Sequence, residues 1–476
     1  MKKNSHILYF IFVIGLFFCM ISHNFLTRGM FLDGTYYSVI AHKISSDQCS
    51  FWQLKNCNAG EEFYSHPPLA FQTQSWFLDI FGDNVFCDKI YSVLTYIITG
   101  LLICIIWKQV TKDAKSSWMP LLFWITIPLA TWGATNNLLE NTMAVFIVAS
   151  ISFCLNENRP YIFSILAGSM IYLAFMVKGP TALFPLVFPI IQYFFQKEKP
   201  LWQYLLRAFI MAATSVAIFG LMILISEDSR HFFKMYYNIQ LQGSLENVAT
   251  VSNRFYIVWR WFCDMLVGIA IIAISFVIKH KGQTFRQLLC IKANLKGNPT
   301  DRSYAKDSLK FLLLGLCGVL PIMISMKQSS FYILPTLPFF AISMALIFKS
   351  IFKEINSLAI KLSISALTVT AAIILNIVFF GKTTREKEML HDIDVMCTVV
   401  PKDEIVLMSN SLASEYSLRS YMSRLADITL TTIDDGNKYL IMPKEEAYDE
   451  QKWQSKYQPV NLETEKYTLY INKPFN

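Results

Sequence analysis

Residues 7–21 read ILYFIFVIGLFFCMI, an unbroken apolar run behind Lys2 and Lys3. Such a run fits a secretory signal as well as a membrane helix. The residues that follow, His23-Asn24-Phe25-Leu26 and then Thr27-Arg28, offer no small-residue cleavage site, and Phe17-Phe18 before Cys19 is unsuited to lipoprotein processing. The run is therefore expected to stay in place as a first membrane helix. Working outward, apolar runs long enough to cross the hydrocarbon core begin near Ile7, Ile90, Trp118, Thr142, Tyr161, Thr181, Ala208, Ile257, Phe311, Phe331 and Leu362. At about 17–25 residues per crossing they predict about eleven transmembrane helices, some of them kinked at prolines such as Pro128, Pro185 and Pro335.

Composition agrees. Of 476 residues, 54% are hydrophobic and only 16% charged, against about 25% charged in a soluble domain. A soluble enzyme, a disordered chain and a collagen-like fibre are excluded, and an α-helical polytopic membrane protein is predicted. Nothing resembles a Gly-rich phosphate loop or a basic, aromatic-interleaved stripe, so no nucleic-acid partner is expected. The net charge of +8 reads as the bias of Lys and Arg toward cytoplasmic loops. With the N-terminus cytoplasmic, the basic stretches 108–115, 196–207, 279–310 and 349–361 all fall on that side. An odd number of spans then puts the C-terminus outside, and the unprocessed anchor suits a bacterial inner membrane.

Two pieces lie outside the spans. The first is an outer loop over 28–88, with helical stretches Gly34–Ile44 and Leu69–Ile80 whose mixed faces suit helices at the membrane surface. Cys49 and Cys57 flank Ser50–Asn56 within it, where an oxidising compartment permits a disulfide and two free thiols are the alternative. The second is the segment 381–476. Its strand-like runs Ile405–Met408, Tyr439–Met442 and Tyr467–Ile471, between helical runs 412–421 and 445–456, predict a small C-terminal α/β extracytoplasmic module. The expected organisation is a membrane-embedded module over 1–380 and this second module over 381–476.

Nearly all the spans lack charge at mid-depth, which weakens a transporter reading. The informative polar residues sit at the predicted outer ends of helices. Asp33 lies in Gly29-Met-Phe-Leu-Asp-Gly-Thr-Tyr-Tyr, Glu140 in Thr135-Asn-Asn-Leu-Leu-Glu, Lys178 in Lys-Gly-Pro, and Lys327 in Lys-Gln-Ser-Ser-Phe-Tyr-Ile-Leu-Pro. His66 precedes Pro67-Pro68. Taken singly, each has an ordinary explanation: a helix cap or dipole partner for the acids, a snorkelling stem for the lysines, a plain surface histidine. Together, all five fall on the non-cytoplasmic face. Two acids and three candidate cations are what transfer of a sugar from a lipid-linked phosphate requires, with cations for the phosphate and a carboxylate for the acceptor's proton.

The order of these motifs resembles the GT-C membrane glycosyltransferases, in the branch of glycosyltransferase family 39 that holds the dolichyl-phosphate-mannose protein mannosyltransferases (PMT-type) and the bacterial lipid A aminoarabinose transferases. The resemblance spans Ile7 to Lys349, and its more specific parts are Lys178-Gly179-Pro180 and Lys327-Gln328…Tyr332-x-Leu334-Pro335. It implies a polyprenyl-phosphate sugar donor such as an undecaprenyl-linked one, an inverting reaction, a site on the outer leaflet, and a glycan, lipid A or protein acceptor. By position Asp33 resembles the catalytic acid of the first loop, Glu140 the second acid and Lys178 the lysine of the Lys-Gly-Pro turn. His66 stands where many members have Lys. Gly34 stands where relatives often carry a second acid, which puts a two-carboxylate or metal-binding first loop in doubt; no metal ligands are assigned, and a divalent metal stays open as cofactor.

The expected reaction is one displacement in which Asp33 deprotonates an acceptor hydroxyl while His66, Lys178 and Lys327 hold the departing polyprenyl phosphate. A transporter or flippase and an O-antigen polymerase or ligase are the alternatives. The first predicts polar residues inside the spans and pseudo-repeated halves; the second usually carries its large outer loop late in the chain.

Overall fold

The computed structural model describes residues 6–196, 198–242, 249–279, 299–352, 354–446 and 456–473. Among the described residues eight helices have the length and apolarity to cross a membrane: His6–Phe25 (α1), Cys87–Thr111 (α4), Pro160–Lys178 (α8), Leu201–Ile225 (α10), Tyr256–Lys279 (α12), and the segments Arg302–Ile324, Ser330–Ile351 and Leu358–Phe379; the shorter Glu227–Tyr236 (α11) follows α10. Their helical cores include Pro299–Val319 (α13), Leu337–Ile351 (α14) and Leu358–Phe379 (α15). Pro128–Ala134 (α6) and Leu139–Cys154 (α7) are apolar enough only when taken together, and they meet in a sharp bend of 112°.

The other expected spans are assembled from shorter pieces, and proline is the reason. Trp118–Ile125 (α5) stops before Pro128, which opens α6 at its first turn. The run from Thr181 carries Pro180 and Pro185 and winds as a 3₁₀ segment, Pro180–Val187, before Phe188–Gln196 (α9).

Basic side chains gather at one end of the bundle. Lys349 pairs with Asp113 at 2.5 Å, Arg207 with Glu157 at 2.7 Å and Lys361 with Glu354 at 2.7 Å, while Lys279 donates to the Ser350 carbonyl at 2.7 Å. Most of the residues 279–310 that carry the densest basic run lie outside the described residues. Mid-bundle charge is sparse but present: Asp264 on α12 is buried and pairs with Arg260 one turn earlier at 3.3 Å.

At the opposite end lie Leu32–Ser45 (α2), Leu69–Phe81 (α3) and the C-terminal sheet. α2 starts with Asp33 in its first turn and ends with His42 and Lys43, charges that complement the helix dipole. The sheet has order β2-β1-β3-β5-β4, built from Ile405–Met408 (β1), Thr429–Thr431 (β2), Tyr439–Pro443 (β3), Tyr457–Pro459 (β4) and Tyr467–Asn472 (β5). β1 runs parallel to β2 and β3, and β3-β5-β4 are antiparallel. Lys387–Met396 (α16) and Tyr416–Ala426 (α17) cover it over a core of its own that includes Leu390, Met408, Met422 and Leu469. The expected strands are present. The helix expected over 412–421 begins later, at Tyr416, after a 3₁₀ turn at Asn410–Ser414. The one expected over 445–456 lies mostly outside the described residues.

α2 is covered more fully than its mixed apolar and polar faces suggest. Most of its length is buried, and the C-terminal α17 lies over it. Tyr421 accepts the Met30 N–H at 2.8 Å and donates to the Met30 carbonyl at 3.0 Å. Arg424 bonds Asp83 at 2.6 Å and Asp88 at 3.0 Å, and His42 bridges Asp427 at 2.6 Å and Asp83 at 2.7 Å. Burial raises the Asp83 carboxyl, but His42 and Arg424 outweigh it and bring it down to about 2. A planar guanidinium serving two acids is not replaceable by a point charge. Arg424→Lys is expected to lose about 1.5–3 kcal/mol of stability, read as a lower thermal midpoint together with earlier proteolysis of the 381–476 segment.

Of the two alternatives left open for Cys49 and Cys57, the structure has the free thiols. Cys57 is fully buried, and its Sγ accepts from the Ser420 hydroxyl on α17 at 3.9 Å.

Candidate active site

Two faces of α2 do different work. One carries Gly34 and Ser38 and packs on the sharp turn between α6 and α7. There Asn137 adopts φ +48°, a left-handed conformation that Asn tolerates better than most residues. Its amide donates to the Gly34 carbonyl, the Ser38 hydroxyl and Gln74 Oε1 at 3.3, 2.9 and 3.0 Å. Gln74 in turn donates to Asp88, the partner of Arg424, at 2.8 Å. Hydrogen bonds thus run without a break from the C-terminal segment to the backbone under Asp33.

This packing explains the missing second acid. A Cβ on Gly34 would collide with the Asn136 carbonyl. Any side chain there forces α2 off the turn, so the two-carboxylate first loop is excluded by sterics. Gly34→Ala is expected to cost about 1–3 kcal/mol as an overpacked contact, measurable by thermal unfolding in detergent.

The other face carries Asp33 and Tyr37, one turn apart and therefore side by side. Tyr37 is buried and its hydroxyl lies 3.2 Å from His66 Nε2. Glu140, in the first turn of α7, is completely buried, and its Oε1 pairs with the Nζ of Lys178, the last residue of α8. The Lys178 ammonium lies over the rings of Tyr332, at 4.7 Å, and Phe331, at 5.3 Å. Gly179 makes the turn after it at φ +81°, where a Cβ would meet the Tyr236 hydroxyl. Both the conformation and the space require glycine in Lys-Gly-Pro.

Lys327 sits in the loop before the 3₁₀ segment Ser330–Thr336. Its neighbour Gln328 fixes that loop, donating to the carbonyls of Arg254 at 3.0 Å and Ser325 at 2.9 Å and accepting the Ile257 N–H at 3.1 Å. In Lys-Gln…Tyr, then, the Lys faces a cavity, the Gln anchors the loop to α12 and the Tyr ring supports Lys178.

His66, Glu140, Lys178 and Lys327 line one cavity of about 310 Å³, together with Tyr236 and Tyr332. Its remaining wall is largely apolar, with Met143, Pro180, Pro321, Ile322 and Ile324. Asp33 stands close enough for the Lys178 ammonium to act on it. Burial raises the Asp33 carboxyl above its ordinary range, and Lys178 offsets part of that rise. Burial, then Lys178 and Lys327, hold the His66 imidazole well below its usual value, which favours the uncharged ring. Burial, then Lys178, likewise lowers Lys327.

Four of the five side chains singled out in the sequence therefore meet in one cavity, and the fifth adjoins it. Sequence reasoning missed Tyr37, Asn137 and Tyr236. Tyr37 was within reach, one helical turn from Asp33; the other two depend on chain crossings that no local pattern reveals. Among the described residues no group of three or more His, Cys, Asp or Glu is placed to hold a metal ion. The divalent metal left open by the sequence finds no ligand set among them.

No family model and no curated protein matches this sequence. Solved structures do match. The chain is similar to ArnT from Cupriavidus metallidurans in the apo state, at 10% identity and a TM-score of 0.68 over 97% of both chains. It is similar to the same protein bound to undecaprenyl phosphate at 11% identity and a TM-score of 0.65, again over 97% of both. A weaker likeness, with a TM-score of 0.45 and 10% identity, is to the oligosaccharyltransferase AglB from Archaeoglobus fulgidus, covering 94% of this chain and 70% of that one. The chain has the GT-C fold, with a small five-stranded C-terminal sheet.

Proposed function

We propose that this protein is an inverting membrane glycosyltransferase that moves a sugar from a polyprenyl-phosphate carrier to an acceptor hydroxyl. The observation that carries this reading is the convergence of Lys178, Lys327 and His66 in a cavity with an apolar wall, beside the half-buried carboxylate of Asp33. The cations suit the carrier's phosphate, the apolar wall suits its first isoprene units, and the carboxylate suits the acceptor. The fold shared with ArnT, which has been solved with undecaprenyl phosphate, supports the carrier class.

Asp33 accepts the acceptor's hydroxyl proton as the oxygen attacks the anomeric carbon. The bond from that carbon to the phosphate oxygen breaks, and its electron pair leaves on the phosphate, whose charge goes from −1 to −2. Lys178 meets that charge with the N–H groups not used by Glu140, since an ammonium has three donors. Glu140 keeps Lys178 in place. One displacement at one carbon inverts its configuration.

The same reading orients the molecule. The basic end of the bundle is cytoplasmic by the positive-inside rule, which puts the N-terminus inside and the cavity, the 28–88 loop and the 381–476 module at the periplasmic face of an inner membrane. In this arrangement the module clamps α2 from above. The test is reconstitution in vesicles with undecaprenyl-phosphate sugars as donors. Release of undecaprenyl phosphate, with a glycosylated product whose anomeric configuration is opposite to the donor's, is expected; retention of configuration, or no release with any lipid monophosphate sugar in the presence of cell-envelope acceptors, overturns it.

A further inference from the structure

His66 is held in an arrangement that selects which of its nitrogens carries the proton. Nε2 meets the Tyr37 hydroxyl at 3.2 Å, while Nδ1 is buried and has no hydrogen-bond partner among the described residues. The neutral ring has one N–H and one bare nitrogen. If Nε2 carried the proton, Tyr37 would accept it. The phenol hydrogen would then have no acceptor among the described residues, where His66 is the hydroxyl's one hydrogen-bond partner, and the Nδ1 lone pair would also stay unused. If Nδ1 carries it, the phenol donates to Nε2 and a single N–H remains, in a residue that lines the cavity. Leaving one buried group unpaired costs less than leaving two.

We propose that Tyr37 is a positioning residue that fixes His66 in its Nδ1–H form, so that the cavity presents a neutral imidazole donor to a non-bridging oxygen of the carrier's phosphate. The identity of that anion rests on the glycosyl-transfer reading above; the tautomer does not. The charged groups around the ring favour this division of labour. Lys178 from α8 and Lys327 from the loop before the 3₁₀ segment bring positive charge, Glu140 from α7 neutralises the first, and Asp33 shares the face of α2 with Tyr37. Between two ammonium groups a histidine stays uncharged until an anion arrives, whereas a third lysine would add to the repulsion in the empty site. The bound phosphate offsets the two lysines, after which the ring accepts a proton at Nε2 and Tyr37 turns from donor to acceptor. Carrier binding is then accompanied by proton uptake and tightens as the pH falls through the range in which the occupied ring titrates.

The test is ¹⁵N NMR of the ring nitrogens in the full-length protein, labelled at histidine, with His66 assigned from its loss in His66→Gln. The resting protein is expected to show the Nδ1–H form, and Tyr37→Phe to return the ring to the Nε2–H form that free histidine side chains prefer. An Nε2–H ring in the resting wild-type protein overturns the inference without reference to any activity, and so does a Tyr37→Phe ring that is unchanged. Undecaprenyl phosphate is then added, with inorganic phosphate as the control. Protonation of both nitrogens by the lipid, and about 2–10-fold weaker lipid binding in Tyr37→Phe, support the anion's place on Nδ1. An Nδ1 resonance that neither probe moves, over the resting tautomer expected, overturns the phosphate contact while leaving the Tyr37–His66 pair standing.

Discussion

Asp33→Asn is expected to cut sugar transfer by about 10²–10⁴-fold, the usual share of a positioned general base, while undecaprenyl phosphate binds as before. Asparagine keeps the size of the side chain and its place in the first turn of α2, so Tyr37, one turn on, is not disturbed. The fold is expected to gain, if it changes at all. Burial raises the Asp33 carboxyl above its unfolded value and Lys178 only partly offsets this. A raised acid contributes most to stability below its unfolded pKa and loses that contribution as pH rises through the folded one. At neutral pH the charged Asp33 is thus a strain on the native state, and the variant should unfold at the same temperature as wild type or higher. The two measurements together exclude misfolding as the cause of lost activity. The same shift fixes the pH dependence. Transfer should fall as pH drops through a value above the ordinary aspartate range, because the base becomes protonated. The residual activity of the variant should lack that acid limb. A variant that transfers sugar at the wild-type rate removes Asp33 from the base role.

How much of this site the sequence disclosed depends on the range of the interactions involved. Positions such as Asp33, Lys178 and Lys327 are legible because charge is so costly in apolar surroundings that each ionisable residue at a span end stands out. Their sidedness follows from loop charge, which is also a local property, and the geometry gathers them at the end of the bundle away from the basic residues. The reach of the C-terminal segment was not legible. Arg424, His42 and Asp83 each look like ordinary surface charges in their own windows, yet they meet across more than 300 residues of chain. Gly34 shows the same limit. In the sequence it reads as a lost acid; only the Asn136 carbonyl lying against its α-carbon turns the loss into a steric requirement. The interrupted apolar runs around Pro128 and Pro185 fall between these cases, since proline marks the interruption but not the angle that follows it.

Lys178 and Glu140 call for a pair of substitutions rather than one, because a single change confounds chemistry with folding. Glu140 is fully buried and Lys178 nearly so, and Lys178 is the partner that Glu140 Oε1 has. Removing one member of such a pair strands the other charge away from water, at a cost of about 3–5 kcal/mol. Lys178→Met alone should therefore both inactivate the protein and lower its thermal midpoint by many degrees, which says little about catalysis. Replacing both members by neutral groups of similar volume is often neutral for stability. The double variant Glu140→Gln/Lys178→Met is thus expected to recover most of the lost thermal stability, with the introduced thioether lying toward the rings of Tyr332 and Phe331 where the ammonium lies now. Its activity should not recover. The phosphate still gains its second negative charge as the sugar leaves, and with the ammonium gone the transition state loses a charge-stabilising donor, worth about 10²–10³-fold in rate. Recovery of fold without recovery of transfer assigns Lys178 to the departing phosphate and Glu140 to holding it. Recovery of both in the double variant shows instead that the pair is purely structural, and the phosphate must then be held by Lys327 and His66 alone.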